Sequence, residues 1–201
     1  ELFTEIPELV HRPFVKKVWL AIEKWIFPKL KNVYTVSPKI AEIYTHKYGV
    51  HVDIIRNLPT KKQLEKGSFP FSTEGQKIIL YQGAINLGRG LELMIKTMPF
   101  LKNYLFVIIG DGDITEDLKN LVAKKNLTEK VKFLGKVLPE KLHSFTSLAA
   151  IGISFEEDLG LNYRYALPNK IFDYIQAKIP VLVSDLPEMK KIILDYQIGE
   201  I

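Results

Sequence analysis

Apolar positions recur along the chain in two rhythms. Val15, Val18, Trp19, Ile22, Trp25 and Ile26 fall three and four residues apart, which predicts an amphipathic helix ending near Pro28. Its polar side carries Lys16, Lys17, Glu23 and Lys24, and the stripe fits packing against the remainder of a domain better than a tilt onto a membrane surface. Residues 32–37 form a short run rich in β-branched side chains and predict a strand. Ser37-Pro38 then predicts the cap and first residue of a helix reaching about Lys47. Residues 52–55 give a second strand, out of which Arg56-Asn57-Leu58-Pro59 turns the chain. Residues 60–76 are polar, carry Gly67, Pro70 and Gly75, and read as a linker or surface loop.

From Lys77 the pattern becomes regular. Short apolar runs at 77–82, 105–109, 131–134, 151–154 and from Val181 predict strands buried on both faces. Between them, helical spacing appears at Leu91, Met94, Ile95 and Met98, at Leu118, Leu121 and Val122, and over residues 138–148. Further helices are predicted from Pro168, with Asn169 as cap, and from Pro187. Strands alternating with helices of this length imply right-handed crossovers, hence an α/β fold with a parallel sheet covered on both faces.

Composition narrows this picture little. A chain of 201 residues with a net charge of +5 can bury one good core or one core plus part of another, and its basic residues are scattered rather than gathered for nucleic acid. Without cysteine, disulfides, thiol nucleophiles and thiolate metal sites are excluded, and a reducing compartment is permitted. No apolar run approaches the roughly 20 residues that span a bilayer. His11, His46, His51 and His143 lie in unrelated contexts, without metal spacing, and read as structural or solvated.

In an open parallel sheet, ligands bind outside the carboxyl ends of the strands, so the following loops are the candidates. Gly83-Ala84-Ile85-Asn86-Leu87-Gly88-Arg89-Gly90 combines glycines that admit close backbone approach with an arginine suited to a diphosphate. Gly110-Asp111-Gly112-Asp113 invites a metal or dinucleotide reading, but a full Gly-x-Gly-x-x-Gly is absent and a structural turn is the better account. The stretch from Phe155 to Leu167 is long enough to be functional in itself, and Glu157 and Tyr165 lie in it. It leads into Leu167-Pro168-Asn169-Lys170-Ile171-Phe172-Asp173-Tyr174, where a helix amino terminus offers a place for phosphate. Lys170 carries charge for that phosphate, and Asp173 can accept two hydrogen bonds from a ribose diol. The structural alternative for Asp173 is a favourable charge in the first helical turn.

Leu-Pro-Asn-Lys-Ile-Phe-Asp-Tyr followed by Ile179-Pro180-Val181 resembles the nucleotide-sugar-binding segment of retaining glycosyltransferases with the GT-B fold. Thr35-Val36-Ser37, Tyr48-Gly49, Asn57-Leu58-Pro59 and Arg89-Gly90 match that family's motifs in order. The resemblance implies that residues 1–56 are the C-terminal portion of an acceptor domain and that 57–201 are a Rossmann-like donor domain lacking its last helices. It implies no cofactor and no tightly bound metal. It places the donor diphosphate on Gly83, Arg89, Asn169 and Lys170, the ribose on Asp173, the base on the main chain at Lys136 and Val137, and the sugar near Glu157 and Tyr165. The implied partners are a nucleotide diphosphate sugar and a glycan or lipid-linked acceptor, in a cytoplasmic enzyme that works at or near the inner face of the membrane. The fragment as it stands is expected to bind a nucleotide without turning it over.

Two departures from the family pattern stand out. A basic residue usually follows the first glycine, where this chain has Ala84. The family's paired glutamates lie eight positions apart; Asp173 takes the second place, but Tyr165 stands in the first. The rival readings are a GT-B nucleotide-sugar epimerase, for which no further acid/base residues are found, and a non-catalytic α/β binding module.

Overall fold

The computed structural model describes residues 2, 4, 9, 12–61 and 67–201. His11 and residues 62–66 of the expected linker lie outside them. Helix α1 (Pro13–Ile26) begins on a proline, and the chain tightens into a 3-10 turn at Phe27–Lys29 around Pro28, so the predicted end holds. Strand β1 (Val33–Thr35) leads to α2 (Pro38–Tyr48), whose cap is Ser37: its hydroxyl accepts from the backbone N–H of Ile40 at 3.4 Å. Gly49, with φ of 65°, ends α2 in the left-handed conformation that glycine adopts without strain. β2 (Val52–Ile54) returns parallel to β1, and Leu2, Ile40, Ala41, Tyr44 and Val52 form the small core of this unit.

The second unit is a six-stranded parallel sheet. Its strands are β3 (Lys77–Gln82), β4 (Tyr104–Ile109), β5 (Val131–Gly135), β6 (Ile151–Ser154), β7 (Val181–Val183) and β8 (Gly199–Glu200). The crossovers carry α3 (Leu91–Thr97), α4 (Thr115–Lys124), α5 (Pro139–Thr146), the short α6 (Leu161–Arg164), α7 (Asn169–Ala177) and α8 (Pro187–Tyr196). Strand period explains the unbroken apolar runs. Ile78 and Leu80 of β3 face one core with Leu105, Val107, Ile171, Tyr174 and Met189, while Ile79 and Tyr81 face the other with Leu91, Ile95, Phe106, Ile108 and Leu118.

In the sheet the strands run β5-β4-β3-β6-β7-β8, so the order reverses between β3 and β6. That is the doubly-wound order, with its ligand crevice at the switch point. The described end of the linker is not a free loop: Phe69 stacks on Phe71 with ring centroids 5.2 Å apart and lies 5.5 Å from the ring of Phe145 of α5, and both pack against the larger core.

Two expectations about α7 are corrected. Its cap residue is Pro168, in extended conformation, and Asn169 is the first helical residue with no capping bond from its side chain. Asp173 therefore lies in the second turn, not the first, because Asn169 starts the count. The two-residue β8 and the helix α6 inside the long loop were not foreseen, being too short to carry a period.

Candidate functional site

At the switch point β3 and β6 share two ladder pairs, Ile79 with Ile151 and Leu80 with Gly152. The ring of Tyr174, reaching in from α7, lies against the sheet there. Its hydroxyl is 3.2 Å from the carbonyl oxygens of both Leu80 and Ile153, one on each strand. A side chain at position 152 would have no room, since a Cβ would stand 2.5 Å from the Tyr174 ring. Burial holds the Tyr174 phenol well above its ordinary pKa, so it stays a neutral donor.

Above this lock opens a crevice of about 860 Å³. One wall comes from Tyr34, Thr35 and Val36 of the first unit, with Asn57 just beyond it; the other comes from Gln82–Ala84, Arg89, Asn162, Tyr163 and the segment 165–170 with Asp173. The units are joined at this place. Glu188, buried at the start of α8, accepts from the backbone N–H of Lys39 in the first turn of α2 at 3.1 Å, and Tyr165 packs on the small core of the first unit. The backbone N–H of Leu2 also donates to the Asn162 side chain at 3.1 Å.

The crevice floor is cationic. Lys170, in the first turn of α7, sets its ammonium 4.0 Å over the ring of Tyr81 and 3.1 Å from Oε1 of Glu156. Arg89 approaches the same oxygen at 3.4 Å and lies 5.6 Å over the ring of Tyr163. Glu156 is fully buried, and its second oxygen accepts from the Ser154 hydroxyl at 2.7 Å. Burial depresses the Lys170 pKa below the ordinary lysine value, and Arg89 pushes the same way; Glu156 opposes both by its charge and its hydrogen bond.

The loop after β3 is held close to these cations. A Cβ at Gly83 would stand 3.5 Å from Cε and 3.8 Å from Nζ of Lys170, and the Tyr81 hydroxyl donates to the Ala84 carbonyl at 2.6 Å. Lys170 thus brings an ammonium to the backbone at Gly83-Ala84, where the sequence itself places no basic residue. Gly110 permits close packing of the next loop, since a Cβ there would stand 1.9 Å from the Gly83 carbonyl oxygen. Beside the cations, Asp173 accepts from the Gln82 amide at 2.9 Å, and the Gln82 carbonyl accepts from Thr146 at 2.7 Å, which fixes the orientation of the amide.

Of the residues singled out from sequence, Gly83, Arg89, Tyr165, Asn169, Lys170 and Asp173 come together around the crevice. Lys136, Val137 and Glu157 are not among its lining residues. Lys136 is exposed and 3.5 Å from Asp111, Val137 packs against the larger core, and Glu157 is exposed while its backbone N–H donates to the Gly88 carbonyl at 2.9 Å. Sequence reasoning missed Glu156, Gln82 and Tyr81. The strand period carried a signal for the first: counting by two from Gly152 through Ser154 reaches Glu156 on the same side.

Similarity to known proteins agrees with this geometry. Alpha-D-kanosaminyltransferase of Streptomyces kanamyceticus is 27% identical over 135 residues, covering 64% of this chain and 33% of that protein. A Campylobacter jejuni alpha-1,4-N-acetyl-D-galactosaminyltransferase named for GalNAc-alpha-(1->4)-GalNAc-alpha-(1->3)-diNAcBac-PP-undecaprenol is 27% identical over 126 residues, covering 60% of this chain and 34% of that protein. The chain therefore spans about a third of the length of these curated relatives. Among solved structures, sucrose-phosphate synthase from Thermosynechococcus elongatus superposes with a TM-score of 0.74 at 18% identity, over 92% of this chain and 48% of that one. Anabaena HepE in complex with UDP and glucose superposes with a TM-score of 0.69 at 12% identity, over 86% of this chain and 50% of that one. Residues 64–201 match the family glycosyl transferases group 1, and with the doubly-wound sheet and its cationic crevice they place the chain in that family.

Proposed function

We propose that the crevice holds the diphosphate of a nucleotide sugar, and that the full-length protein transfers the sugar to a glycan or lipid-linked acceptor in surface polysaccharide or glycolipid biosynthesis. The observation that carries this reading is the convergence of Arg89, from the loop after β3, and Lys170, from the first turn of α7, at the switch point of the sheet. Lys170 stands in for the basic residue that Ala84 lacks, because its ammonium lies against Gly83. Asp173, steadied by Gln82, takes the ribose diol. The main chain at Lys136 and Val137 takes the base, and Glu157 and Tyr165 border the sugar. The UDP in the Anabaena neighbour and the undecaprenol in the name of the Campylobacter relative favour a nucleoside diphosphate donor and a lipid-linked acceptor.

The chemistry asked of these side chains is electrostatic. As the anomeric carbon–oxygen bond breaks, negative charge grows on the departing diphosphate, and cations already in place stabilise it without reorganising. The reading includes transfer with retention, in a cytoplasmic enzyme whose α1 side faces the membrane or the rest of the acceptor domain. Among the described residues no helix is long and apolar enough to cross a membrane. In this reading residues 1–56 belong to the acceptor domain and 57–201 to the donor domain, and transfer needs both substrates oriented in one closed cleft.

Calorimetric titration with nucleoside diphosphates tests the reading. At least one should bind in the micromolar to millimolar range, about −8 to −4 kcal/mol, and should be displaced by pyrophosphate. A chain that binds none of the uridine, guanosine, cytidine, adenosine and thymidine diphosphates is a different kind of module.

A further inference from the structure

Glu156 is a fully buried carboxylate that the proposed reaction does not use. Its Oε1 is shared by Lys170 at 3.1 Å and Arg89 at 3.4 Å, and its Oε2 is held by Ser154 at 2.7 Å. Both cations line the crevice and the carboxylate does not, so it stands behind them, on the side away from an incoming ligand. Two cations gathered in a partly dry site repel one another, and a buried charge is tolerated only when it is paired.

We infer that Glu156 is the resident counter-anion of the diphosphate subsite: it positions Arg89 and Lys170 while the crevice is empty and shares them with the diphosphate when it arrives. The inference rests on the donor-site reading above. It gives Glu156 two opposed effects. The carboxylate keeps the cations charged and in place, and it lowers the charge of the trio from +2 to +1, which loosens the hold on the diphosphate product and speeds its release.

The groups around the Lys170 ammonium come from three elements. They are Tyr81 on β3, Arg89 in the loop after β3 and Glu156 in the loop after β6, while Asp173 on α7 itself is engaged with Gln82. Burial keeps the Tyr81 phenol neutral and depresses the Lys170 pKa, which the Glu156 charge and hydrogen bond oppose. Without Glu156 beside it, Lys170 loses its proton at lower pH.

The test is calorimetric titration of wild type and Glu156→Gln with pyrophosphate, with UDP and with uridine, at about pH 6 and at a higher pH just below the ordinary lysine pKa. At the lower pH, Glu156→Gln should bind pyrophosphate and UDP about tenfold more tightly than wild type, because one opposing charge is gone. That gain should vanish or reverse at the higher pH, and uridine should bind both proteins alike. Should Glu156→Gln not fold, Glu156→Asp draws the charge back by one methylene and should show a gain of about threefold at the lower pH. Unchanged or weaker pyrophosphate binding at the lower pH by a folded variant would overturn the inference and leave the donor site standing. Absence of binding of pyrophosphate and UDP by wild type would remove the donor site and this inference with it.

Discussion

The ring of Tyr174 occupies the space that a side chain at residue 152 would need. A Cβ on Gly152 would stand 2.5–2.6 Å from three of its ring atoms, and the phenol hydroxyl touches a carbonyl of each strand at the switch point. The same helix carries Lys170 and Asp173, so this contact sets where both face the crevice.

Gly152→Ala should therefore cost about 1–3 kcal/mol through overpacking, lowering Tm by about 2–4 °C for each kcal/mol in a domain of this size. Diphosphate affinity should fall with it, because α7 must shift. Tyr174→Phe keeps the ring and removes only the hydroxyl, for about 1 kcal/mol. Differential scanning calorimetry of the two variants separates the effects.

Arg89→Ala and Lys170→Ala should each weaken nucleoside diphosphate binding about tenfold or more, the loss of a charge-assisted hydrogen bond worth about 1.5–3 kcal/mol. Nucleoside binding should scarcely change. Equal losses for nucleoside and diphosphate would place these cations elsewhere than on the phosphates.

Asp173→Asn keeps the shape of the side chain and an oxygen for Gln82 while removing the charge. Ribonucleotide affinity should fall several-fold, in line with a charged hydrogen bond becoming a neutral one, and the preference over 2′-deoxy forms should narrow. Position in the second turn leaves little for the helix dipole to contribute, so Tm should hold nearly constant. A lower Tm with unchanged affinity would assign Asp173 to the fold alone.

The regular elements were legible because their cause is local. Lys77–Gln82 and Ile151–Ser154 were found to the residue, as each is a short apolar run buried on both faces. Ser37-Pro38 marked the start of α2, and its expected end near Lys47 lies one residue short of Tyr48. Glu156 was not legible in the same way. In composition it is one of three consecutive acidic residues, Glu156-Glu157-Asp158; alternation from Gly152 and Ser154 hints at its side, but only the fold brings Lys170 and Arg89 to it. The approach of Lys170 to Gly83 is likewise a property of the assembled sheet, since Gly83 follows its first strand in chain order and Lys170 opens the helix α7 that follows its fourth.

Diphosphate binding should also depend on pH in one direction. Lys170 has a depressed pKa in the folded chain, so between that value and the ordinary lysine pKa the unfolded chain binds the extra proton. Lys170 therefore makes stability rise with pH in that window, where the diphosphate site loses a positive charge. Affinity for a nucleoside diphosphate should fall as pH climbs through the depressed Lys170 pKa, and Lys170→Arg should flatten the profile because guanidinium does not titrate there. A wild-type profile that is flat through the alkaline range would take Lys170 off the phosphates.

The most direct test of the donor-site account is a crystal structure of this chain with a bound nucleoside diphosphate. The account predicts the diphosphate in the crevice, with Lys170 Nζ and the Arg89 guanidinium within about 3 Å of its oxygens and the ribose hydroxyls on Asp173. A nucleotide bound away from the ends of β3 and β6, with Lys170 and Arg89 still paired only to Glu156, would contradict it.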